Sequence, residues 1–145
     1  MVGRFLRHAL ALPGAVARAF PRHAMENIER AILESEKRHG GDIRFAVEAA
    51  LDPLPLLKGQ AARERAIEVF SELRVWDTER NDGVLLYLLL ADHDVEIVAD
   101  RGFNGKVAPA EWEGVCKAME ALLREGRYEA AALEGIARAG VLMGR

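Results

Sequence analysis

The stretch that decides the fold covers residues 75–107 and reads VWDTERNDGVLLYLLLADHDVEIVADRGFNGKV. Its segment GVLLYLLL, residues 83–90, is apolar without alternation, which is typical of a strand covered on both faces. The segment VEIVADR, residues 95–101, alternates between apolar and polar side chains, as a half-buried strand does. Because the short segment ADHD joins the two, the sequence predicts a pair of antiparallel strands.

Before this stretch, the chain predicts two helices separated by a strand. Residues 21–39 carry apolar side chains at helical spacing and are followed by two glycines, which stop a helix. Residues 42–51 alternate, which predicts a half-buried strand, and a connection broken by prolines follows. Residues 61–75 predict the second helix, and its apolar spacing predicts a buried stripe of Ala62, Ala66, Phe70 and Leu73.

After this stretch, two further helices are predicted. Pro109 stands at the favoured first position of one of them, and residues 128–143 form the other. Their buried faces are predicted at Trp112, Val115, Cys116, Met119, Leu122 and Leu123 in the first helix. In the second they are predicted at Leu133, Ile136, Ala137 and Leu142 or the neighbours of these residues. The order of elements predicts the α/β class, as a three-layer α/β/α sandwich around a small mixed sheet.

The composition limits the class of protein. With 145 residues, half of them hydrophobic and 30% charged, the chain can form one domain with a substantial core. Its single cysteine excludes an intramolecular disulfide, and a formal net charge of -3 gives no reason to expect a nucleic-acid partner. The charge is uneven, because residues 1–25 contain four arginines and no acid. We therefore divide the chain into a basic, apolar N-terminal segment at residues 1–21 and a domain at residues 22–145.

The N-terminal segment has the pattern of neither a cleaved signal nor a membrane span. Arg7, His8 and Pro13 interrupt its apolar residues, and no stretch of the chain approaches the roughly 18 apolar residues that cross a membrane. Residues 4–20 are expected either to pack on the domain or to make a weak, peripheral contact with an anionic membrane. The expected location is the cytoplasm, with the inner membrane surface as the alternative.

Taken together, these segments resemble the TPM domain family, in its short bacterial form, over roughly residues 22–145. The resemblance is carried by an acidic loop, a GVLL strand start, a segment from Ile97 to Gly105 that ends in GFNG, and paired C-terminal helices. It implies an α/β/α sandwich, and members of the family have been linked to phosphatase activity, divalent-metal binding and the assembly or repair of membrane complexes. Many members follow the glycine segment with an aspartate, where this chain has Ala108-Pro109.

Acidic residues gather at the ends of the predicted strand pair. Asp77 and Asp82 precede the first strand and Asp100 ends the second, so antiparallel pairing should place them at one end of the sheet. Carboxylate oxygens are the ligands that calcium and similar divalent cations prefer, which predicts a cation site. The alternative is that these are turn residues, with Asp100 paired to a nearby arginine. Further candidate site residues are Trp76 and Arg101, with Glu48 as an additional neighbour of the cluster.

The sequence does not fit several other kinds of functional site. An EF-hand is excluded because Leu88 stands where the loop needs a bidentate glutamate, and the RGFNGK segment lacks the spacing of a P-loop. Cys116 lies on an apolar helix face, where burial should raise the pKa of its thiol and leave it inert. His39 is expected as a cation at a helix C-terminus, and the remaining histidines have no zinc-ligand spacing.

The expected function is that of an accessory binding module rather than an enzyme. Its expected cofactor is calcium or another divalent cation, and its expected partner is an unidentified protein linked to a membrane complex or its maintenance. The alternative is a metal-assisted acid phosphatase, which needs a cation or a nucleophile and groups that stabilise charge on the phosphoryl oxygens. Asp77 and Arg101 are the residues to which these roles would be assigned.

Overall fold

The computed structural model describes residues 14–145. Within them the chain forms six α-helices and three strands. In chain order these are α1 (Ala15–Ala19), α2 (Arg22–His39), β1 (Asp42–Glu48), α3 (Pro53–Leu57), α4 (Ala62–Glu72), β2 (Gly83–Leu89), β3 (Asp94–Ala99), α5 (Pro109–Arg124) and α6 (Tyr128–Met143). Two 3₁₀ turns, Leu90–Asp92 and Arg101–Phe103, follow β2 and β3 respectively.

The sheet has the order β1-β2-β3, with β2 in the middle. β1 runs parallel to β2, and β3 runs antiparallel to it, so that Val84 pairs with Ala99 and Leu89 with Asp94. Every residue of β2 is buried. The predicted interior strand and its antiparallel neighbour are therefore confirmed, although β3 ends at Ala99 because the chain turns into a 3₁₀ helix there.

Helices cover both faces of the sheet. On one face, Val84, Leu86 and Leu88 pack in a core with residues from α2, α5 and α6. On the other face, Leu85, Tyr87 and Leu89 pack with residues from α3 and α4. This arrangement confirms the three-layer α/β/α sandwich, and it explains why β2 carries no charged side chain.

The buried stripe of α4 differs from the predicted one. Ala62 and Ala66 are buried as expected, but the third buried residue is Val69, and Leu73 is 43% exposed. The helix ends at Glu72, and the chain then turns through Arg74, which has a φ of 54°. This turn directs Val75 into the core in place of Leu73.

Two further details of the sequence prediction are corrected. The connection that prolines were expected to break contains α3, because Pro53 occupies a first-turn position, where proline favours a helix. In α6 the predicted Ala137 is exposed, and the small residues Ala131, Ala132, Gly135 and Ala139 are buried instead. Small residues let α6 approach its neighbours: a Cβ on Gly135 would lie 2.3 Å from the sulfur of Met119 on α5.

The chain joins the core before residue 22. Phe20 is 3% exposed and packs edge-to-face on Phe45 of β1, at 5.5 Å between ring centroids, and on Tyr128 of α6, at 6.1 Å. Most of residues 4–20, the segment expected to pack on the domain or to contact a membrane, lies outside the described residues. Within residues 14–145, no helix is long and apolar enough to cross a membrane.

Candidate functional site

The start of β2 and the end of β3 meet as the sequence predicted. The backbone N–H of Asp100 donates to the carbonyl of Gly83 at 2.9 Å, and the N–H of Gly102 donates to the carbonyl of Asn81 at 2.8 Å. The loop before β2 and the 3₁₀ turn after β3 are thus held together by main-chain hydrogen bonds.

Two glycines permit this close approach of the backbone. A Cβ on Gly83 would lie 2.1 Å from the carbonyl oxygen of Val75, and one on Gly102 would lie 2.4 Å from that of Asn81. Of the two glycines in the RGFNGK segment, Gly105 has a positive φ, of 82°, and Gly102 does not. A glycine is required at position 102 because the backbone carbonyls of Arg80 and Asn81 occupy the space that a side chain would take.

Asp77 and Trp76 lie at the surface beside Arg74. A carboxylate oxygen of Asp77 accepts from the Arg74 guanidinium at 2.9 Å, and the Asp77 side chain is 56% exposed. The same guanidinium lies over the ring of Trp76, which is 47% exposed, at 5.4 Å from the ring centroid. Both predicted site residues are therefore occupied in a local surface contact with one arginine.

Asp82 lines two hollows at the end of the sheet. The first hollow, of about 430 Å³, is also lined by Glu36, Asp42 and Arg80. The second, of about 240 Å³, has three arginines and one lysine in its lining. The N–H of Asp82 donates to Thr78 Oγ1 at 3.0 Å, and its carbonyl accepts from the N–H of Asp42, which fixes the loop against β1.

Asp100 lies in a different groove, of about 670 Å³, between β3 and α5. Its Oδ1 accepts the backbone N–H of Arg101 at 2.7 Å, while its Oδ2 is buried and has no hydrogen-bond partner among the described residues. The exposed Arg101 thus contacts Asp100 through its main chain. A buried carboxylate oxygen without a partner is rare in folded proteins and calls for an explanation.

The structure brings the three aspartates to one end of the molecule but does not gather their carboxylates. Asp82 and Asp100 line separate hollows, and Asp77 is paired with Arg74. In the part of the chain that the structure describes, no group of three or more histidine, cysteine or acidic side chains is placed to hold a metal ion. A cation site that includes all three aspartates stays a prediction, and Asp100 is its best-supported member.

The expectation that Glu48 neighbours this cluster is wrong. Glu48 ends β1 and pairs in register with Leu89, so it lies at the opposite end of the sheet. Its carboxylate accepts two hydrogen bonds from Arg65, at 2.8 and 3.0 Å, and one from the hydroxyl of Tyr87 at 2.7 Å. The hydrogen bonds from Arg65 have the largest effect in lowering the pKa of Glu48 below its ordinary value, and the bond from Tyr87 adds to it.

The groove beside Asp100 was not predicted from the sequence. Its lining is rich in charged side chains, namely Arg63, Asp94, Glu96, Asp100, Glu113, Lys117 and Glu120. Glu120 Oε2 accepts the N–H of Val95 at 3.0 Å, and Arg63 donates to the carbonyl of Ile97. Helical side chains thus bind backbone groups along the outer edge of β3. Because this contact is tertiary, neither strand nor helix periodicity could reveal it.

Burial changes the acidity of several groups near this groove. It raises the pKa of Glu120 to about 6, an effect strengthened by a hydrogen bond with Asp94, and it also raises the pKa of Glu96. Burial raises the pKa of the Cys116 thiol to about 12, which agrees with the expected inert cysteine. Burial lowers the pKa of His39, which disfavours the cationic form expected at this helix C-terminus.

Comparisons with known proteins identify one matching family model and several similar folds. Residues 16–142 match the family model described as the TPM domain. The NMR structure of the BA42 protein from the psychrophilic bacterium Bizionia argentinensis is similar to this chain, with 26% sequence identity and a TM-score of 0.72. The match covers 83% of this chain and 79% of that chain. The N-terminal domain of a P. gingivalis protein, at 14% identity, shares the fold with a TM-score of 0.68 over 92% of this chain and 77% of that chain. No curated protein matches the chain.

Proposed function

The chain belongs to the TPM domain family, and we propose that it is a binding module that takes up a divalent cation of the calcium type at Asp100. In this proposal the cation enters the groove between β3 and α5, and the protein performs no chemistry on it. We extend the proposal to an accessory role beside a membrane complex or its maintenance, on the basis of the family resemblance.

The observation that carries the proposal is the unpaired Oδ2 of Asp100. Burying a charged oxygen without a partner costs free energy, because the water that solvated it is lost and nothing replaces it. A divalent cation would supply the missing partner, since hard cations bind carboxylate oxygens. Asp100 Oδ1 is already held by the N–H of Arg101, which fixes the orientation of the carboxylate.

The surroundings of Asp100 favour a cation over an anion. The groove is lined by five acidic side chains and two basic ones, Arg63 and Lys117. These acids are spread along the groove rather than grouped, so the protein would supply few ligands and water would supply the rest. Sites of this kind bind calcium weakly, with dissociation constants on the order of 10⁻⁴ to 10⁻³ M.

A calcium titration followed by ¹H–¹⁵N NMR tests the proposal, with ionic strength held constant by sodium chloride. We expect saturable shifts in the amides of residues 99–105, and we expect Asp100→Asn to abolish them. Asp77→Asn is the matched control and should bind as the unchanged protein does. Asp82→Asn decides whether the second strand-end aspartate contributes.

Two results would contradict the proposal. One is an Asp100→Asn variant that keeps the original calcium affinity; the other is a set of shifts spread over all acidic surfaces without saturation. Either would mean that calcium screens the charge of the protein and has no site in the groove.

A further inference from the structure

We propose that the hollow of about 240 Å³ at the C-terminal ends of α2 and α6 binds a phosphate group. The ionisable residues in its lining are Arg38, His39, Arg80, Asp82, Lys106 and Arg145. This hollow is separate from the groove that holds Asp100, so the inference does not depend on cation binding.

The cations of this hollow are not neutralised by neighbouring acids. Arg38, Arg80 and Lys106 form no ion pair with any residue in the described part of the chain. Arg145 differs, because its guanidinium binds the carboxylate of Glu111 at 2.7 Å. Asp82 is the one acidic residue among the described residues of the lining, so the three unpaired cations give the hollow an excess of positive charge. The chain as a whole has a formal net charge of -3.

The helix dipole explains only part of this arrangement. Arg38 belongs to the last turn of α2, where the partial negative charge of a helix C-terminus stabilises a cation. Arg80 and Lys106 come from loops, so the dipole does not account for their presence. The guanidinium of Arg80 lies over the C-terminus of α2, where a Cβ on Gly40 would be 3.7 Å from its Nη1.

His39 shapes the wall of the hollow without adding charge. Its Nδ1 accepts the N–H of Gly41 at 2.9 Å, and its Nε2 lies 3.0 Å from the hydroxyl of the buried Ser35. The Nδ1 that accepts from Gly41 carries no proton, and burial lowers the pKa of the ring. The positive charge of the hollow therefore comes from arginine and lysine and is constant near neutral pH.

The size and chemistry of the hollow indicate its ligand. Its volume is below the roughly 300–1,000 Å³ of pockets that enclose drug-sized molecules, so it suits a small charged group. Guanidinium and ammonium groups together are the usual ligands of phosphate, because they give charge-assisted hydrogen bonds to its oxygens. The phosphate could belong to a free phosphate ester or to a lipid headgroup.

The test is a titration of the full chain with inorganic phosphate in the presence of a chelator, followed by ¹H–¹⁵N NMR at constant ionic strength. We expect saturable shifts at the amides of Gly41, Gly102 and Lys106. The double variant Arg80→Gln/Lys106→Gln should bind at least tenfold more weakly. The matched control, Lys58→Gln, removes an exposed cation beyond the opposite end of the sheet and should leave the affinity unchanged.

A second arm distinguishes the two sources of phosphate. Co-sedimentation compares vesicles of phosphatidylcholine alone with vesicles that also contain phosphatidic acid. Binding to the acidic vesicles that is lost in the double variant assigns the hollow to a lipid headgroup, whereas saturable phosphate binding without vesicle binding assigns it to a soluble phosphate. Equal phosphate affinity in the double variant, or shifts spread over all basic surfaces, would overturn the inference. Because the chelator removes divalent cations, neither result depends on the proposed calcium site.

Discussion

Replacing Tyr87 by phenylalanine should destabilise the protein by an amount that the structure allows us to work out. The ring of Tyr87 is fully buried, and its hydroxyl donates to Glu48 Oε1 at 2.7 Å. Phenylalanine keeps the packing of the ring and removes one hydrogen bond to a charged acceptor, a bond worth about 1.5–3 kcal/mol. Glu48 keeps its two bonds from Arg65, so we expect a loss near the lower end, about 1.5 kcal/mol.

The partner substitution Glu48→Gln makes this prediction sharper. It removes the negative charge that Arg65 and Tyr87 share, and the side chains of Arg65 and Glu48 are 22% and 33% exposed, so water screens part of the effect. We expect a loss of about 2 kcal/mol after this discount. In the Glu48→Gln background, Tyr87→Phe should cost less than it does alone, because the hydroxyl then bonds to a neutral acceptor.

Urea unfolding followed by circular dichroism measures these free energies of unfolding. The pKa of Glu48 is lowered in the folded state, chiefly by its hydrogen bonds from Arg65, so its contribution is complete above its ordinary pKa of 4.5. That contribution is lost as the pH falls through the lowered pKa, and the difference between the unchanged protein and Glu48→Gln should shrink accordingly. A Tyr87→Phe loss below about 0.5 kcal/mol, or additive effects of the two substitutions, would refute the described network.

Three further predictions concern the strand ends and the groove. Gly83→Ala should lower the free energy of unfolding by about 3 kcal/mol, because the new Cβ would meet the Val75 carbonyl. Gly114→Ala, in open space on α5, should instead raise it by about 0.5–1 kcal/mol. Urea unfolding of the two variants compares these effects. The raised pKa of Glu120 disfavours its charged form in the folded state. The free energy of unfolding of the unchanged protein, relative to that of Glu120→Gln, should therefore fall as the pH rises from 4.5 to about 6. Equal pH profiles of the two proteins would contradict this. Repurified protein should show no turnover of a generic phosphate ester, and activity that disappears in Asp77→Asn would favour the phosphatase alternative.

The fold was predictable because its signals are local in the sequence. The unbroken apolar run of β2 and the alternation of β3 each lie within one element, and the short segment between them requires antiparallel pairing. Pro109 marks the start of α5 in the same local way. The burial of Val75 instead of Leu73 was not predictable, because it depends on the turn at Arg74.

The candidate site was predictable in its position but not in its geometry. The paired strands bring Gly83 and Asp100 together, as the sequence implied. Which way each carboxylate points depends on the register, and successive residues of a strand face opposite sides of the sheet. The register pairs Val84 with Ala99, and Asp82 and Asp100 then line different hollows. The cationic hollow combines two helix ends with two loops, so no single motif indicates it.

The complete burial of β2 has a consequence for how the chain reaches its folded state. β2 pairs in parallel with β1, so the chain between them must close a long connection before that half of the sheet can form. Until the helical layers are in place, residues 83–90 expose a segment without charge or proline and with high strand propensity. Such a segment pairs readily with the same segment of another chain. The strand at the centre of the native sheet is therefore also an aggregation hazard of the newly made chain. The speed with which the helices of both layers dock over it sets how long that hazard lasts.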